Sequence, residues 1–327
     1  MRLSLPIAAC LPILLAAAGK RPAITVQGLK TPGIQIPYVS LKPLAEVVLD
    51  GVVVGLQVSG QQMLAVHDTR LDLIDVKTNQ ISDKPVPGLA KACGGMASGF
   101  ESEWIPSCES KSLTRIETKT GKILATLAVG AGRGQALVAT SADSVWMLSD
   151  ERTTLLRIDP QDNAVVAEIR LPEACGAIAY GEAAIWIACP KAGRVLRVDA
   201  ARNMVSKTIE TAAKPMALAF GEGSVWVLCE GKVSRIDPKT NLVSATVELG
   251  SSAGVGGLAY GEGFLWVTMP GLPLTKIAAE GNKVMQQFHG SGGGGPIAVG
   301  FGSVWLGQDN KVLRFDPKRV AATLAEE

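Results

Sequence analysis

Side chains suited to acid–base or metal chemistry are scarce in this sequence. Histidine occurs twice, as His67 and His289, and cysteine six times in 327 residues. The histidines fall in the first and last units of the repeat described below, so a functional pair requires those units to be neighbours, and no glutamate partner is evident. No C-x-x-C or C-x-x-C-H motif occurs, which disfavours a metal site without excluding a cysteine-rich one at a rim. We therefore predict neither a catalytic group nor a metal ligand.

Four cysteines occupy equivalent positions relative to tryptophan. Cys93 and Cys175 each lie 11 residues before a tryptophan, and Cys108 and Cys189 lie four and three residues after the same tryptophans. At the ends of two neighbouring strands of a hairpin, such positions lie within the span of a disulfide. We predict the disulfides Cys93–Cys108 and Cys175–Cys189, each closing a loop for which roughly 3 kcal/mol of stabilisation is expected. Cys229 repeats the second position without a cysteine at the first, and is predicted to be unpaired.

A repeat of about forty residues runs through the chain. The tryptophans are separated by 42, 40, 40, 40 and 39 residues, and the sequence contains no others. A second anchor, most often Arg-Ile-Asp or Arg-Val-Asp, follows about ten residues after each, and a seventh copy without tryptophan ends at Asp75. Seven units account for the chain from residue 44 to the C-terminus. The tryptophans are Trp104, Trp146, Trp186, Trp226, Trp266 and Trp305.

Each unit is predicted to contain four short strands. One unit shows a small apolar strand at 216–220, a Gly-Glu-Gly turn, a tryptophan-bearing strand at 224–228, a strand ending in an Asp-Pro turn, and an alternating strand at 243–249. Four strands per unit without helical periodicity predict an all-β protein, a seven-bladed β-propeller of four-stranded antiparallel blades. We expect the tryptophans to pack between blades; the alternative is a set of exposed platforms for sugars.

The first 43 residues are predicted to lie outside the propeller, which spans 44–327. Residues 1–18 combine a basic Arg2, an apolar stretch and an Ala-Ala-Ala cleavage site, which predicts a signal peptide cleaved near Ala18 and a periplasmic or secreted protein. A lipoprotein modified at Cys10 is the alternative. Residues 19–43 contain four prolines and are predicted to form a tether. We favour the strand at 45–51 for closing the last blade, with 320–324 as the competing candidate.

Composition narrows the class of protein further. The formal net charge of +2 argues against a nucleic-acid binder. A hydrophobic content of 47% excludes a disordered chain, and no run of 18 apolar residues follows the N-terminal stretch, so no membrane span is predicted. We expect a monomer.

The repeat motifs resemble those of a known group of propellers. G-E-G-S-V-W-V at 221–227, followed by R-I-D-P-K-T-N at 235–241, is similar to bacterial YVTN or YncE-like propellers and to the related virginiamycin B (streptogramin) lyase group. The resemblance implies a propeller over nearly the whole mature chain. For the lyases it also implies an elimination that opens ring-closed antibiotics with His, Glu and magnesium. The corresponding positions here hold Pro215-Met216 and Met269, which supply neither a general base nor the oxygen ligands that magnesium prefers.

One face of such a propeller offers candidate ligand contacts. The loops before the innermost strands and between the second and third strands share this face, around the mouth of the central channel. We expect a mixed set of charges there, with Arg133 in Gly-Ala-Gly-Arg-Gly as the best anchor for an anionic group. A solvated rim without a ligand is the alternative. The candidates are Arg133, Arg152, Lys191, Arg194, Glu230, His67 and His289.

These observations favour an exported, non-catalytic propeller that binds an unknown peptide, protein or small ligand on its loop face. The alternative is a metal-dependent lyase, or a lactone or ester hydrolase, of the streptogramin-lyase-like type, disfavoured because the His and Glu positions are not matched. A quinone-dependent dehydrogenase is less favoured still, since such rings are usually longer. No cofactor is predicted; magnesium or calcium would serve only the enzyme alternative.

Overall fold

Seven antiparallel sheets account for nearly all the regular structure of the protein. The computed structural model describes residues 24–26, 29, 33–83, 85–86, 88–132, 137–250 and 254–320. Within these ranges the helical segments are three single 3₁₀ turns, Tyr38–Ser40, Asp150–Arg152 and Glu280–Asn282. The predicted all-β class is confirmed. The strands are β1 Ile24–Val26, β2 Gln35–Pro37, β3 Ala45–Val48, β4 Val53–Ser59, β5 Gln62–His67, β6 Arg70–Asp75, β7 Ala97–Gly99, β8 Ser102–Ser107, β9 Ser112–Glu117, β10 Ile123–Ala128, β11 Val138–Thr140, β12 Val145–Ser149, β13 Thr154–Asp159, β14 Ala164–Arg170, β15 Ala177–Gly181, β16 Ala184–Cys189, β17 Arg194–Asp199, β18 Met204–Glu210, β19 Ala217–Gly221, β20 Ser224–Cys229, β21 Lys232–Asp237, β22 Leu242–Glu248, β23 Gly257–Gly261, β24 Phe264–Met269, β25 Leu272–Ala278, β26 Lys283–His289, β27 Ile297–Gly300, β28 Ser303–Gln308 and β29 Lys311–Phe315.

The sheets are the blades of a closed ring. The innermost strands contact one another in the order β4, β7, β11, β15, β19, β23, β27 and then β4 again. Each inner strand begins a blade, so blade 1 starts at β4 and blade 7 at β27. The predicted seven-bladed β-propeller is therefore confirmed.

Blade 1 departs from the regular four-stranded pattern. Its ladder contains β4, β5 and β6, and residues 80–83 and 85–86 lie where the outermost strand would be. Two isolated bridges, Leu71 to Val86 and Ile74 to Ile81, join this segment to β6. The Ser82 and Val86 amides donate to the Leu73 and Leu71 carbonyls, which are two residues apart on β6 and four apart on this segment, so the pairing is not a continuous ladder.

The ring closes through a strand from the N-terminal side. β3 pairs antiparallel with β29 and completes blade 7 as its outermost strand, with Arg314 opposite Ala45 and Lys311 opposite Val48. This is the closure favoured from the sequence. Of the competing segment, residues 321–324 lie outside the described residues. The pairing covers an edge that would otherwise expose unpaired backbone groups.

Part of the segment treated as a tether also lies against the ring. β1 pairs parallel with β22 at the outer edge of blade 5, and β2 pairs parallel with β26 at the outer edge of blade 6. The Gln286 amide donates to the Ile34 carbonyl at 2.7 Å. The N-terminal segment thus passes three consecutive blades before it enters blade 1.

The hydrophobic core lies between the blades. Seven clusters of buried apolar side chains each combine residues of two consecutive blades. All six tryptophans are completely buried, and each belongs to the cluster that its blade shares with the next one. Burial confirms the expected core role and excludes the sugar-platform alternative. Most indole N–H groups donate to a backbone oxygen, as Trp226 does to Gly221 at 3.1 Å.

A cation on the third strand accompanies each tryptophan and reaches the following blade. The Arg235 guanidinium lies 4.7 Å from the Trp226 ring centroid. It donates to the Ala279 carbonyl at 2.8 Å and to the Asn282 side chain at 3.0 Å, both in the turn between the third and fourth strands of blade 6. Burial lowers the pKa of Arg235 from its ordinary value, with nearby carboxylates opposing the shift. We call this arrangement the interblade clamp.

The clamp recurs at six of the seven interfaces. Five use arginine, with an asparagine in the accepting turn, and one uses Lys276, which donates to the Pro317 and Val320 carbonyls at 2.7 and 3.0 Å. The arginine–asparagine pairs are Arg115–Asn163, Arg157–Asn203, Arg197–Asn241, Arg235–Asn282 and Arg314–Asn79.

Removing one clamp tests its contribution to stability. Arg235→Met keeps most of the aliphatic stem but loses the ring contact and two hydrogen bonds, so we expect the free energy of unfolding to fall by about 2 kcal/mol. Urea unfolding followed by tryptophan fluorescence measures it. Arg202→Met is the control, because that side chain is 77% exposed and a change below about 0.5 kcal/mol is expected. Equal losses in the two variants would contradict the clamp's role.

Candidate functional site

The central channel opens on the face formed by the loops that enter the innermost strands. A cavity of about 380 Å³ lies at this mouth, lined by blades 1, 2, 5, 6 and 7. Glycine backbone forms much of its wall, and among the described residues that line it none carries a titratable side chain. The mouth therefore presents an apolar surface with exposed peptide groups. The larger apolar side chains on the wall are Val53, Val54, Leu56, Met96, Met216, Leu218, Leu258 and Ile297.

The two predicted cysteine pairs lie on this same face, one in blade 2 and one in blade 4. Cys93 and Cys108 are at disulfide distance, with their Cα atoms 5.7 Å apart. Cys175 and Cys189 are likewise paired, with a Cα separation of 4.0 Å. Each pair ties the loop entering an inner strand to the end of the second strand. The loops of blades 2 and 4 at the channel mouth are thereby fixed covalently.

Cys229 is a buried free cysteine, as the missing partner predicts. Its thiol is fully buried at the end of β20. Burial raises the pKa of the Cys229 thiol to about 11, although hydrogen bonds to Ser234 and other neighbours oppose the shift. The thiol therefore stays protonated and inaccessible at neutral pH.

Two of the charged candidates are engaged in ion pairs on the loop face. Arg194 donates to the Glu173 carboxylate at 2.6 Å, and this hydrogen bond raises the pKa of Arg194. Glu230 accepts from Lys214 at 2.6 Å, and both side chains are largely exposed. These residues form a mixed rim of compensated charge rather than a patch of one sign.

The other basic candidates are not brought together. Lys191 is exposed in the turn after β16. Arg152 has a left-handed backbone (φ 70°), and its carbonyl accepts from the Cys175 amide at 3.0 Å. Arg133, the predicted anchor, lies outside the described residues.

The two histidines do not form a pair. His67 is only 2% exposed, and its Nε2 lies 2.8 Å from an Asp72 carboxylate oxygen. Asp72 also accepts from Arg70 at 2.8 Å, so the buried His67 and Asp72 form a network within blade 1 with the partly exposed Arg70. His67 therefore lies at the end of β5, beside the loop face where the sequence placed it, but its ring is buried. His289 ends β26 on blade 6, and blade 7 separates it from blade 1.

The positions that the lyase resemblance assigns to His and Glu do not fit a magnesium site. Met216 is half-buried on the wall of the channel mouth, and Met269 is completely buried at the end of β24. Thioether sulfur is a poor ligand for a hard cation. Within the described ranges, no three His, Cys, Asp or Glu side chains group in a way that could hold a metal ion.

A second and larger cavity lies on the opposite face and was missed from the sequence. It forms a cleft of about 1270 Å³ between the turns of blades 1 and 2. Beneath it lies Glu103, a carboxylate that is 1% exposed and immediately precedes Trp104. In the other five tryptophan-bearing blades this position holds Val, Ile or Leu, which is the signal that could have drawn attention to the interface.

Comparison with known proteins supports the fold assignment. The chain is similar to a streptogramin B lyase structure, at a TM-score of 0.68 and 16% identity over 83% of this chain and 95% of that one. A selenomethionine-substituted virginiamycin B lyase from Staphylococcus aureus aligns at a TM-score of 0.66 and 16% identity, over 83% and 97% of the two chains. A catalytically inactive virginiamycin B lyase from Staphylococcus aureus with quinupristin aligns at 0.67 and 15% over the same shares.

At this level of identity the likeness concerns the fold alone. No protein-family profile and no curated protein sequence matches the chain. The protein is thus a seven-bladed β-propeller of the architecture shared with these lyases. In the part of the chain that the structure describes, no helix is long and apolar enough to cross a membrane.

Thiol counting tests the cysteine assignment. Without residues 1–18 the chain retains five cysteines, and we expect one reactive thiol after unfolding without reductant and five after reduction. At pH 8 the folded protein should react negligibly with Ellman's reagent, because Cys229 is buried and its raised pKa leaves little thiolate. Cys229→Ser should abolish the single unfolded-state signal. Five thiols before reduction would refute the disulfides.

Proposed function

We propose that this protein is an exported, non-catalytic β-propeller that binds a peptide, protein or small ligand on its channel-mouth face. The observation that carries the proposal is the wall of the mouth, which consists of glycine backbone and apolar side chains. Such a surface accepts an apolar group and offers peptide N–H and C=O groups to orient it. General acid–base catalysis requires a titratable group within reach of the reacting atoms, and the described part of this wall supplies none.

The surroundings of the mouth support recognition of a ligand. Val52 and Val255 are 61% and 50% exposed in the loops that enter blades 1 and 6, so the apolar surface continues outward from the cavity. The cysteine pairs hold the loops of blades 2 and 4 in place, which reduces the entropy lost on binding. The ligand class favoured here is therefore one that carries an apolar group.

Export is supported by the two cysteine pairs, since disulfides persist in oxidising compartments. The predicted signal peptide, which lies outside the described residues, agrees with this location. A periplasmic or secreted site would expose the loop face to envelope or extracellular ligands.

A neutral apolar dye tests the binding surface. We expect the fluorescence of N-phenyl-1-naphthylamine to rise with the folded protein and to lose most of this enhancement in Met216→Glu, because a carboxylate at the mouth resists desolvation by an apolar ligand. Met204→Glu is the matched control, since Met204 is 51% exposed on an outer strand of blade 4. Equal dye binding by the two variants, with both folded by circular dichroism, would contradict the proposal.

The alternative is a metal-dependent lyase or a lactone or ester hydrolase, favoured only by the fold shared with streptogramin B lyases. Quinupristin and magnesium chloride provide a direct test. Ring opening by elimination conserves mass, so the reaction must be followed by chromatographic retention. We expect quinupristin to be unchanged after incubation with the purified protein. Conversion that increases with protein concentration would overturn the non-catalytic proposal.

A further inference from the structure

The interface between blades 1 and 2 lacks the clamp found at the other six. On blade 1, Leu64 is paired with Leu73 in the register that elsewhere pairs tryptophan with arginine, as in Trp146 with Arg157. Leu64 faces blade 2 in the shared apolar cluster, so it fills the tryptophan position with a smaller side chain. The cation is replaced by an apolar group.

The turn of blade 2 that would accept hydrogen bonds from such a cation also differs from the equivalent turns at the other interfaces. The turn between β9 and β10 has the same closing hydrogen bond as the other accepting turns, from the Gly121 amide to the Glu117 carbonyl at 2.9 Å. Gly121 has a φ of 72° and occupies the position that holds asparagine, at φ 58°, in Asn79 and Asn241. Both the donor and its side-chain acceptor are therefore missing at this one interface.

A buried carboxylate takes the place of an apolar residue at the same interface. Position 103 corresponds to Val145 and Val225, which face the preceding blade in their apolar clusters. Glu103 instead accepts hydrogen bonds from the hydroxyls of Ser59 on blade 1 and of Ser98 and Thr118 on blade 2, the last at 2.9 Å. All three partners are neutral hydroxyls, which satisfy the carboxylate oxygens with hydrogen bonds but bring no positive charge to the interface.

The three hydroxyls that hold Glu103 also line the cleft above it. Ser59, Ser98 and Thr118 form part of its wall, together with the acidic side chains of Asp75 and Glu117 from the turns of the two blades. The cleft is wide enough, at about 1270 Å³, for a side chain and the backbone that carries it. At the other interfaces, the carbonyl in the position of the Thr118 carbonyl accepts a hydrogen bond from the clamp cation. The Pro238 carbonyl, for example, accepts from Arg197 at 2.9 Å.

We propose that the cleft between blades 1 and 2 binds a cationic side chain of a peptide or protein partner, with arginine preferred. The ligand's guanidinium would take the place that the protein's own arginines occupy at five interfaces and Lys276 at a sixth. Hydroxyl and carbonyl oxygens of the wall accept its hydrogen bonds, and the buried Glu103 supplies the compensating charge. The three acidic side chains that line the cleft, Asp75, Glu101 and Glu117, outnumber Lys77 and Lys119, and the buried Glu103 adds to this excess. This site is independent of the channel mouth, which lies on the opposite face.

Isothermal titration calorimetry with two matched tripeptides tests the proposal. The probes are N-acetyl-Gly-Arg-Gly-amide and its citrulline counterpart, which has nearly the same shape without the charge. We expect the arginine peptide to bind at least about tenfold more tightly than the citrulline peptide. Glu103→Gln should reduce this preference by about tenfold, whereas Glu182→Gln, which changes an exposed carboxylate in the turn between β15 and β16, should leave it unchanged.

A second variant fills the site from within and does not depend on the stability of Glu103→Gln. Leu73→Arg combined with Gly121→Asn restores the cation and its side-chain acceptor, while Leu64 remains in the tryptophan position. Because a Cβ at position 121 meets the Val86 side chain, no gain in melting temperature is expected; the folded double variant should lose binding of the arginine peptide by occlusion.

Three results would overturn the proposal. The first is equal affinity of the wild type for the arginine and citrulline peptides, or no binding of either. The second is undiminished preference for arginine in the folded double variant. The third is binding of spermidine without binding of the arginine peptide, which would assign the cleft to free polyamines.

Discussion

The ring depends on one repeated contact, a buried indole with a cation beside it that reaches the next blade. Hydrophobic burial at each interface is not directional, and it would permit neighbouring blades to slide or to splay. The clamp adds direction, because a guanidinium must meet a carbonyl and an asparagine amide in one particular turn of the neighbour. The asparagines of these turns have positive φ, a conformation that asparagine tolerates better than most residues. Donor and acceptor are thus specified together, blade after blade.

Much of the fold could be predicted from the sequence, because equivalent residues recur once in each repeat. A residue that fills six of the seven interfaces recurs at the spacing of the blade, so the tryptophans indicated six units, and the copy ending at Asp75 indicated the seventh. The cysteine pairs followed from the same register. Ring closure through β3 was favoured because its alternation matches a fourth strand. β1 and β2 were not predicted: each contains three residues, and both add to edges only after the blades have formed.

The sites were less predictable, for a different physical reason. Binding surfaces on a propeller are formed by loops of several blades. A local sequence pattern does not predict which of these loops will lie close together. His67 looked like a loop residue in the sequence but is buried against Asp72, since Arg70 and Asp72 form a network that only the folded hairpin brings together. Glu103 was not predicted to be functional, because a single charged residue within one apolar strand does not by itself indicate a site. Comparison with the equivalent positions of the other blades, all of which hold apolar residues, shows that Glu103 is an exception to the repeat.

The two faces of the ring therefore differ in character. The channel mouth is apolar and is bordered by loops tied through cysteine pairs, whereas the cleft on the opposite face is polar and lies at the one interface without a clamp. Four residues that differ from the repeat lie at this interface, although they belong to different strands and turns. They are Leu64, Leu73, Gly121 and Glu103. Stability alone does not account for them, since a regular clamp would join the two blades more strongly.

Hydrogen exchange of the indole N–H protons, followed by nuclear magnetic resonance, tests most directly whether the blades are joined as described. Each of the six indole nitrogens donates within its own blade while the ring packs against the next, as Trp186 does to the Gly181 carbonyl at 3.0 Å. The structure predicts six indole resonances that all exchange slowly with solvent. Rapid exchange of several of them would show that the indoles do not lie between blades, and would contradict this description of the ring.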